Sequence, residues 1–125
     1  MNDSCPTCGH KKETICIDFD GVIYNYELGY NEGKLSEVPI AGAQKQMARL
    51  VEKGYNVVIL TARLHPSNSN LLATMINIKE WLTTNGFIQN QHYHIITNNK
   101  PPAVAYIDDR AIRFENNWYS IGKYF

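Results

Sequence analysis

Short apolar runs recur along the chain, and each stops abruptly at polar residues. The first, TICIDF at 14–19, is rich in β-branched residues and ends at the turn pair Asp20-Gly21. The second, YNVVILTAR at 55–63, is apolar without alternation, as in a strand covered on both faces of a parallel sheet. HYHIIT at 92–97 and AVAYID at 103–108 follow. The pattern predicts four strands.

Helical spacing fills two of the intervals between these runs. After Pro39, apolar residues fall at i, i+4, i+7 and i+8, namely Ala43, Met47, Leu50 and Val51. Gly54 marks the expected end of this first helix. A longer helix is predicted from the spacing of Leu71, Met75, Ile78 and Leu82. Ser67 and Asn68 are its N-cap candidates, and it should end at Asn85-Gly86.

Two segments lack a sustained period. Residues 22–38 carry three tyrosines among glycine and asparagine, which predicts a hairpin-like flap. These tyrosines, Tyr24, Tyr26 and Tyr30, either pack beneath the flap or form a platform for a sugar or base, and packing is favoured. In the final segment we predict an edge strand around Ile112 and Phe114, covered by Trp118 and Tyr119.

Strands that alternate with helices favour an α/β fold, with a three-layer, open, mostly parallel Rossmann-like sheet and helices on both faces. Ligands of such sheets bind beyond the carboxyl ends of the strands, where the strand order reverses. Three of the predicted strands end in polar or acidic residues, at 18–20, 61–63 and 108–109. We expect these endings to line one edge.

Composition narrows the class of protein. A chain of 125 residues with 44% apolar and 19% charged residues suits one folded domain, which we assign to 13–125. Twelve basic residues balance twelve acidic ones, so no overall field attracts nucleic acid or an anionic membrane. A local patch keeps nucleic acid open as a partner; its members would be Lys11, Lys12, Arg63, Arg110 and Arg113.

Location and redox state follow from what the sequence contains. It has no apolar run of membrane-spanning length, and its polar start lacks a secretion signal, so we expect a cytoplasmic protein without a membrane partner. Three cysteines, one of them Cys16 inside an apolar run, favour reduced thiols. Residues 1–12 are predicted to be a flexible tail or a partial zinc knuckle.

The knuckle would consist of Cys5, Cys8 and His10 in CPTCGH. A closed Zn²⁺ site needs four ligands, so His65, His92, His94 or another subunit would have to complete it. For His92 and His94 the favoured interpretation is that they are ordinary strand-edge residues.

Four motifs resemble, in order, those of the haloacid dehalogenase (HAD) superfamily: DFDGV at 18–22, LTAR at 60–63, Lys100 before two prolines, and YIDDR at 106–110. The resemblance covers nearly the whole chain. The interval after the first motif is only flap-sized, and the next contains one loop, one helix and one strand. The chain therefore resembles a small, capless member, with a HAD-like fold and no cap domain.

The resemblance implies a phosphohydrolase that forms an aspartyl-phosphate intermediate. Asp18 would be the nucleophile, and Asp20 would protonate the leaving oxygen and then activate water. Thr61 and Lys100 would bind the transferring phosphoryl group. Substrate contacts are expected from Gly21, Thr61, Ala62, Arg63 and Lys100.

The same resemblance implies bound Mg²⁺, held by Asp18, Asp20, Asp108 and Asp109, with Asp108 favoured over Asp109. Arg63 would either clamp a phosphate or pair with Asp109. Electrostatics supports a cation independently, because two like charges ~4 Å apart repel by about 4 kcal/mol at an effective dielectric near 20. Oxygen-only ligands suit Mg²⁺ better than zinc.

The substrate is left open between a small molecule and a polymer. A capless site excludes water poorly unless a large substrate or a subunit of a homo-oligomer covers it. Sugar or metabolite phosphates, nucleotides and polynucleotide 3′ ends are alternatives, and neutral net charge weakens the last. A catalytically silent HAD-fold binding module is the alternative outside the enzymes.

Overall fold

A computed structural model describes residues 3–4 and 11–125. The predicted zinc ligands Cys5, Cys8 and His10 lie outside the described residues. The elements in chain order are β1 (Asp3–Ser4), β2 (Lys11–Lys12), β3 (Thr14–Asp18), α1 (Ala43–Glu52), β4 (Asn56–Leu60), α2 (Leu71–Thr84), β5 (Ile95–Thr97), β6 (Ala105–Ile107) and α3 (Trp118–Gly122). The short strands β1 and β2 pair with each other in antiparallel fashion.

The other four strands form one sheet in the order β5-β4-β3-β6, with every neighbouring pair parallel. These are the four strands that the apolar runs predict, so the α/β class and the parallel sheet are confirmed. The chain moves outward from β3 to β4 and β5, and then places β6 on the opposite side of β3. The strand order therefore reverses between β3 and β6, and this is the switch point where parallel sheets bind ligands.

Both long helices pack against one face of the sheet. Alternate residues of β3 and β4, such as Ile17 and Ile59, share a core cluster with Met47 of α1 and with Ile78 and Leu82 of α2. The connections β3-α1-β4 and β4-α2-β5 advance in the same direction, so right-handed crossovers place both helices on the same side.

The prediction of helices on both faces was wrong for the described residues. On the second face, Cys16 and Val58 are buried, and the connection that crosses this face beside them is the short link between β5 and β6. This link, at 98–104, is seven residues long and includes Pro101-Pro102. A stretch of that length and composition has no room for a helix.

The predicted N-cap of α2 was wrong. Asn70 occupies that position in a left-handed conformation, without a side-chain cap. Asn68 instead donates from Nδ2 to the carbonyl oxygen of Arg63 at 2.9 Å. Ser67 Oγ lies 2.7 Å from His65 Nδ1. Both side chains therefore stabilise the loop after β4 and do not cap α2.

The segment at 22–38 forms no regular strand pair, and only its base is hairpin-like. It contains one 3-10 turn, Asn31–Gly33, and Tyr24 forms isolated bridges with Pro39 (antiparallel) and with Asp20 (parallel). Tyr24 anchors it from below: its ring is buried in the core, and its hydroxyl accepts hydrogen bonds from the backbone N–H groups of Ser36 and Glu37 at 3.0 and 3.1 Å. For Tyr24, the prediction of packing beneath the segment is confirmed.

The predicted edge strand around Ile112 and Phe114 was wrong. Residues 111–117 form no regular element, and the short helix α3 that follows buries none of its residues. The edge strand β6 has no partner on its outer side among the described residues. None of the helices within residues 11–125 has the length and apolar character to cross a membrane.

Candidate active site

Three carboxylates meet at the switch point. Asp18 ends β3, and Asp108 and Asp109 directly follow β6. One oxygen of each carboxylate lies within 4.8 Å of the other two. The register pairs Ile17 with Ile107, so the parallel strands β3 and β6 bring the three side chains to the same edge. The structure thus groups residues that are about 90 positions apart in the sequence.

The group carries more negative charge than its surroundings neutralise. The pKa of Asp18 is raised from 3.8 to about 6, first by burial and then by the charge of Asp108. Asp109 and Asp20 raise this pKa further, whereas a hydrogen bond from the backbone of Phe19 lowers it. Asp18 is therefore the carboxylate whose charge is least well accommodated without a cation.

Gly21 allows Asp109 to approach the end of β3. Its φ of +83° lies in the left-handed region, and a Cβ at this position would be 2.8 Å from Asp109 Cγ. Any larger residue would collide with the carboxylate. Asp108, the residue before Asp109, is held by its own hydrogen bond: its Oδ1 accepts from the backbone N–H of Arg110 at 2.7 Å. That bond fixes one Asp108 oxygen and leaves the other available.

Asp20 lies outside the group of three. Its carboxylate is bound by Arg63, with Nε 3.1 and 3.0 Å from Oδ1 and Oδ2, and Nη2 2.9 Å from Oδ1. It is the only ion pair within 4.0 Å among the described residues. Arg63 therefore pairs with Asp20 rather than with Asp109. Arg63 follows β4, which lies on one side of β3, whereas Asp109 follows β6 on the other side. Asp20, which follows β3, is therefore the nearer carboxylate.

Aromatic rings surround the buried guanidinium of Arg63, which is 4% exposed. Its Cζ lies 5.6, 5.9 and 5.0 Å from the ring centroids of Tyr24, Tyr26 and Tyr30. These distances suit cation–π contacts. The arginine that was a candidate phosphate clamp is thus covered by tyrosines and occupied by a carboxylate. No spacing or motif in the sequence predicts this cluster of one arginine and three tyrosines.

Thr61 directly follows β4, and its neighbour Leu60, the last residue of β4, pairs with Asp18 in the register. Its backbone N–H donates to the carbonyl of Thr97, and its hydroxyl accepts from the N–H of Arg63 at 3.2 Å. That contact leaves the hydroxyl proton for another acceptor. The exposed Ala62 begins the 3-10 turn Ala62–Leu64, which turns the chain away from the edge.

Lys100 reaches the site from the link between β5 and β6. A cavity of about 150 Å³ is shared by the site residues Asp18, Lys100 and Asp108 and by their neighbours Cys16, Leu60, Tyr106, Ile107 and Ala111. Lys100 Nζ stands 4.4 Å from the centroid of the Tyr106 ring. The Tyr106 hydroxyl donates to the Pro101 carbonyl at 2.6 Å, which holds the ring beneath the lysine.

Sequence reasoning did not find Cys16 and Tyr106 as neighbours of the site. Cys16 lies on the same face of β3 as Asp18, two residues before it, so period-two alternation was an available signal. Burial raises the pKa of its thiol, and nearby Lys100 opposes that shift. Cys16 is therefore a neutral wall of the cavity. No sequence pattern marked Tyr106 as a support for Lys100.

The predicted third strand begins later than expected, at Ile95, so His92 and His94 lie in the turn before β5, where both bind backbone groups. His92 Nδ1 accepts from the N–H of Ile88, and His94 Nδ1 accepts from the N–H of Val57, each at 3.0 Å. Burial lowers the pKa of His94, which favours its neutral form. These contacts agree with the interpretation of both as structural residues.

The chain was also compared with known proteins. Family models, curated proteins and solved structures gave no match. The resemblance to the HAD superfamily therefore stays a prediction, carried by the four motifs.

Proposed function

We propose that this chain is a Mg²⁺-dependent phosphohydrolase of the HAD type that cleaves a phosphate monoester through an aspartyl-phosphate intermediate. The observation that carries the proposal is the convergence of Asp18, Asp108 and Asp109 within 4.8 Å. Lys100 shares a cavity with Asp18 and Asp108, and Thr61 directly follows the neighbouring strand. The residues proposed as nucleophile, metal ligands and phosphate-binding groups thus lie at the edge of the sheet where parallel α/β folds bind ligands, which supports the proposal.

The donor set fits Mg²⁺. Oxygens around one Mg²⁺ at ~2.1 Å are about 3 Å apart when adjacent and about 4.2 Å apart when opposite. The 4.8 Å grouping of carboxylate oxygens is thus within a small side-chain rotation of a shared ion. Asp18, Asp108 and Asp109 would hold the metal, and waters and phosphate would complete its shell. Bound Mg²⁺ would neutralise developing charge on the phosphoryl group.

The proposed chemistry has two displacements. A carboxylate oxygen of Asp18 forms a bond to phosphorus while the ester P–O bond breaks, and the departing oxygen takes a proton. Water then attacks the phosphorus of the aspartyl-phosphate, gives up a proton, and releases inorganic phosphate and free Asp18. Lys100 and the Thr61 hydroxyl would bind the transferring phosphoryl oxygens in both steps.

Asp20 is the proposed carrier of both protons, as the motif implies. In the structure both of its oxygens accept from Arg63. Oδ2 accepts only one of these hydrogen bonds, so its second lone pair could take the proton while Arg63 stays bound. Arg63 acts in this proposal as a positioning residue for Asp20, and direct phosphate contact by Arg63 is not part of it.

The substrate class is proposed only as a phosphate monoester, small or polymeric. Asp108 and Asp109 are exposed, so the site lies open to bulk water on the β6 side. An open site favours a substrate or partner large enough to exclude water. A cytoplasmic setting, inferred from the sequence alone, is part of the same proposal.

The test is phosphate release from p-nitrophenyl phosphate and from a panel of nucleotides, 3′-phosphorylated oligonucleotides, sugar phosphates and phosphopeptides. Activity should require Mg²⁺, and Asp18→Asn should abolish it. Glu37→Gln is the matched control, because Glu37 is a half-buried carboxylate outside the site. Mass spectrometry of acid-quenched protein should detect phosphate on Asp18. Turnover that survives both chelation and Asp18→Asn would refute the covalent mechanism, and inactivity across the panel would favour a silent binding module.

A further inference from the structure

The ion pair of Arg63 and Asp20 lies among aromatic rings. The side chain of Arg63 is only 3% exposed, whereas that of Asp20 is 23% exposed. A guanidinium that leaves water loses hydration free energy, and a single carboxylate compensates only part of that loss. Ring faces compensate a further part, because their negative quadrupoles attract a cation. The rings around Arg63 therefore affect how firmly it holds Asp20.

The three rings near Arg63 differ in how they are held. Tyr24 belongs to the core, where it stacks on Phe19 with the ring centroids 5.6 Å apart. Tyr26 is half-buried and packs against the same core. Tyr30 is 49% exposed, yet its ring centroid lies nearest to Arg63 Cζ, at 5.0 Å. Replacement of Tyr30 should therefore change the surroundings of Arg63 and leave the core intact.

A strained turn places the Tyr30 ring. The next three residues, Asn31, Glu32 and Gly33, have positive φ values of 48°, 56° and 81°. A Cβ on Gly33 would lie 3.2 Å from the Tyr30 hydroxyl oxygen and 3.6 Å from its Cζ, so glycine leaves room for the ring. A left-handed backbone is unfavourable at Asn31 and Glu32, and such strain persists where other contacts offset it. The contact of the Tyr30 ring with Arg63 is one that this turn makes possible.

Arg63 in turn fixes the orientation of the Asp20 carboxylate. Its Nε contacts both carboxylate oxygens and its Nη2 contacts Oδ1, so the plane of the carboxylate follows the guanidinium. In the proposed reaction, a proton on Asp20 passes to the ester oxygen as the bond from that oxygen to phosphorus breaks and an Asp18 oxygen bonds to phosphorus. Proton transfer requires hydrogen-bond reach between the two oxygens, so movement of Arg63 would displace the acid.

We infer that Tyr30 is a positioning residue of the proposed reaction, whose ring holds Arg63 and, through it, the Asp20 carboxylate. The inference rests on the proposed function, in which Asp20 protonates the leaving oxygen. The contact uses the ring rather than the hydroxyl, so phenylalanine should replace tyrosine here. Because alkoxides leave poorly without a proton and 4-nitrophenolate leaves readily, Tyr30 should matter most for phosphate esters of ordinary alcohols.

The test compares kcat/KM for four probes: p-nitrophenyl phosphate, phenyl phosphate, benzyl phosphate and glycerol 2-phosphate. Tyr30→Leu should lower kcat/KM less than about threefold for p-nitrophenyl phosphate and about 30-fold for the last two probes, which is part of the roughly 100- to 10,000-fold that a general acid contributes. Phenyl phosphate should fall between these limits. Tyr30→Phe should stay within about twofold of the native chain on all four probes. Leu28→Ala is the matched control, because Leu28 is 60% exposed in the same segment as Tyr30.

Nuclear magnetic resonance gives a readout that requires no turnover. The Nε–H of Arg63 is buried and donates to both Asp20 oxygens, so it should exchange slowly with water. Tyr30→Leu should accelerate this exchange about tenfold, the size expected from a lost, partly desolvated cation–π contact, and Tyr30→Phe should leave it unchanged. Arg63→Lys identifies the signal because it removes it, and circular dichroism would verify that each variant folds.

Three results would overturn the inference. One is Nε–H exchange that Tyr30→Leu leaves unchanged. Another is an equal loss of kcat/KM on all four probes, which would indicate support of the fold alone. The third is a loss confined to the three ring-bearing probes, which would assign Tyr30 to stacking against the substrate. A native chain that is inactive on every probe, with exchange that still depends on Tyr30, would instead overturn the proposed function. Tyr30→Met repeats the comparison if Tyr30→Leu fails to fold.

Discussion

Asp18 is expected to destabilise the metal-free protein, so Asp18→Asn should raise the free energy of unfolding while it removes activity. Folding raises the pKa of Asp18 from 3.8 to about 6, mainly through burial and the charge of Asp108. At about 1.36 kcal/mol per pKa unit, the shift corresponds to at most about 3 kcal/mol. Asp18 is about half exposed, and solvent screening reduces the expected gain to about 1–2 kcal/mol at neutral pH.

The sign depends on pH in a defined way. Below pH 3.8 both the folded and the unfolded chain keep the Asp18 proton, so its charge costs nothing. As the pH rises toward about 6, the unfolded chain loses this proton first, and the free energy of unfolding of the native protein falls. Above that pH, Asp18 is charged in both states, so the amount by which it destabilises the folded chain no longer changes with pH. The advantage of Asp18→Asn should therefore be near zero at low pH and full at neutral pH.

The assay is urea unfolding in a chelator, followed by fluorescence, because the buried Trp81 reports on the core. Mg²⁺ at about ten times its Kd should stabilise the native chain by about 1.4 kcal/mol and leave Asp18→Asn nearly unchanged. Glu37→Gln should show no pH-dependent gain in stability and should be stabilised by Mg²⁺ as the native chain is, because it leaves Asp18 in place. Equal or lower stability of Asp18→Asn at neutral pH, or a gain independent of pH, would refute the electrostatic reasoning.

Three further variants test the rest of the site. Gly21→Ala would force an alanine into a left-handed φ of +83° and crowd Asp109, so the free energy of unfolding should fall by about 1–2 kcal/mol in thermal unfolding. Phosphatase activity should fall at least about tenfold, and unchanged activity would contradict the close approach of Asp109 to Gly21. Arg63→Met should lower the free energy of unfolding by about 2–4 kcal/mol, measured in urea, because it leaves the Asp20 carboxylate without its partner. The double variant with Asp20→Asn should recover part of that loss. Lys100→Met should lower kcat/KM about 100-fold with unchanged stability, since Lys100 is exposed; a stability loss alone would refute its phosphate role.

Much of the architecture could be predicted locally. The β-branched runs at 14–19 and 55–63 predicted β3 and β4 because apolar composition and turn residues act within a few positions of each other. The spacing of Met47 and Leu50 predicted α1 for the same reason. The acidic strand endings at 18 and 108–109 could be placed on one edge because parallel strands share a direction. The order of the motifs therefore sufficed to propose the carboxylate group.

The partners of these residues depend on the order of the strands in the sheet. Asp20 and Arg63 are 43 positions apart, and no pattern in the sequence distinguished their pairing from one between Arg63 and Asp109. Sheet order settled it, because β4 and β6 flank β3 on opposite sides. The single helical layer likewise followed from crossover direction and a short proline-containing link.

Local sequence sufficed to predict β3, β4, α1 and α2 and the residue types that follow them, since periodicity and turn chemistry act over a few residues. Only the fold brings Asp18, Asp108 and Asp109 together and places Asp20 against an arginine. Such pairings depend on distances across the sheet, and local preferences along the chain do not predict those distances.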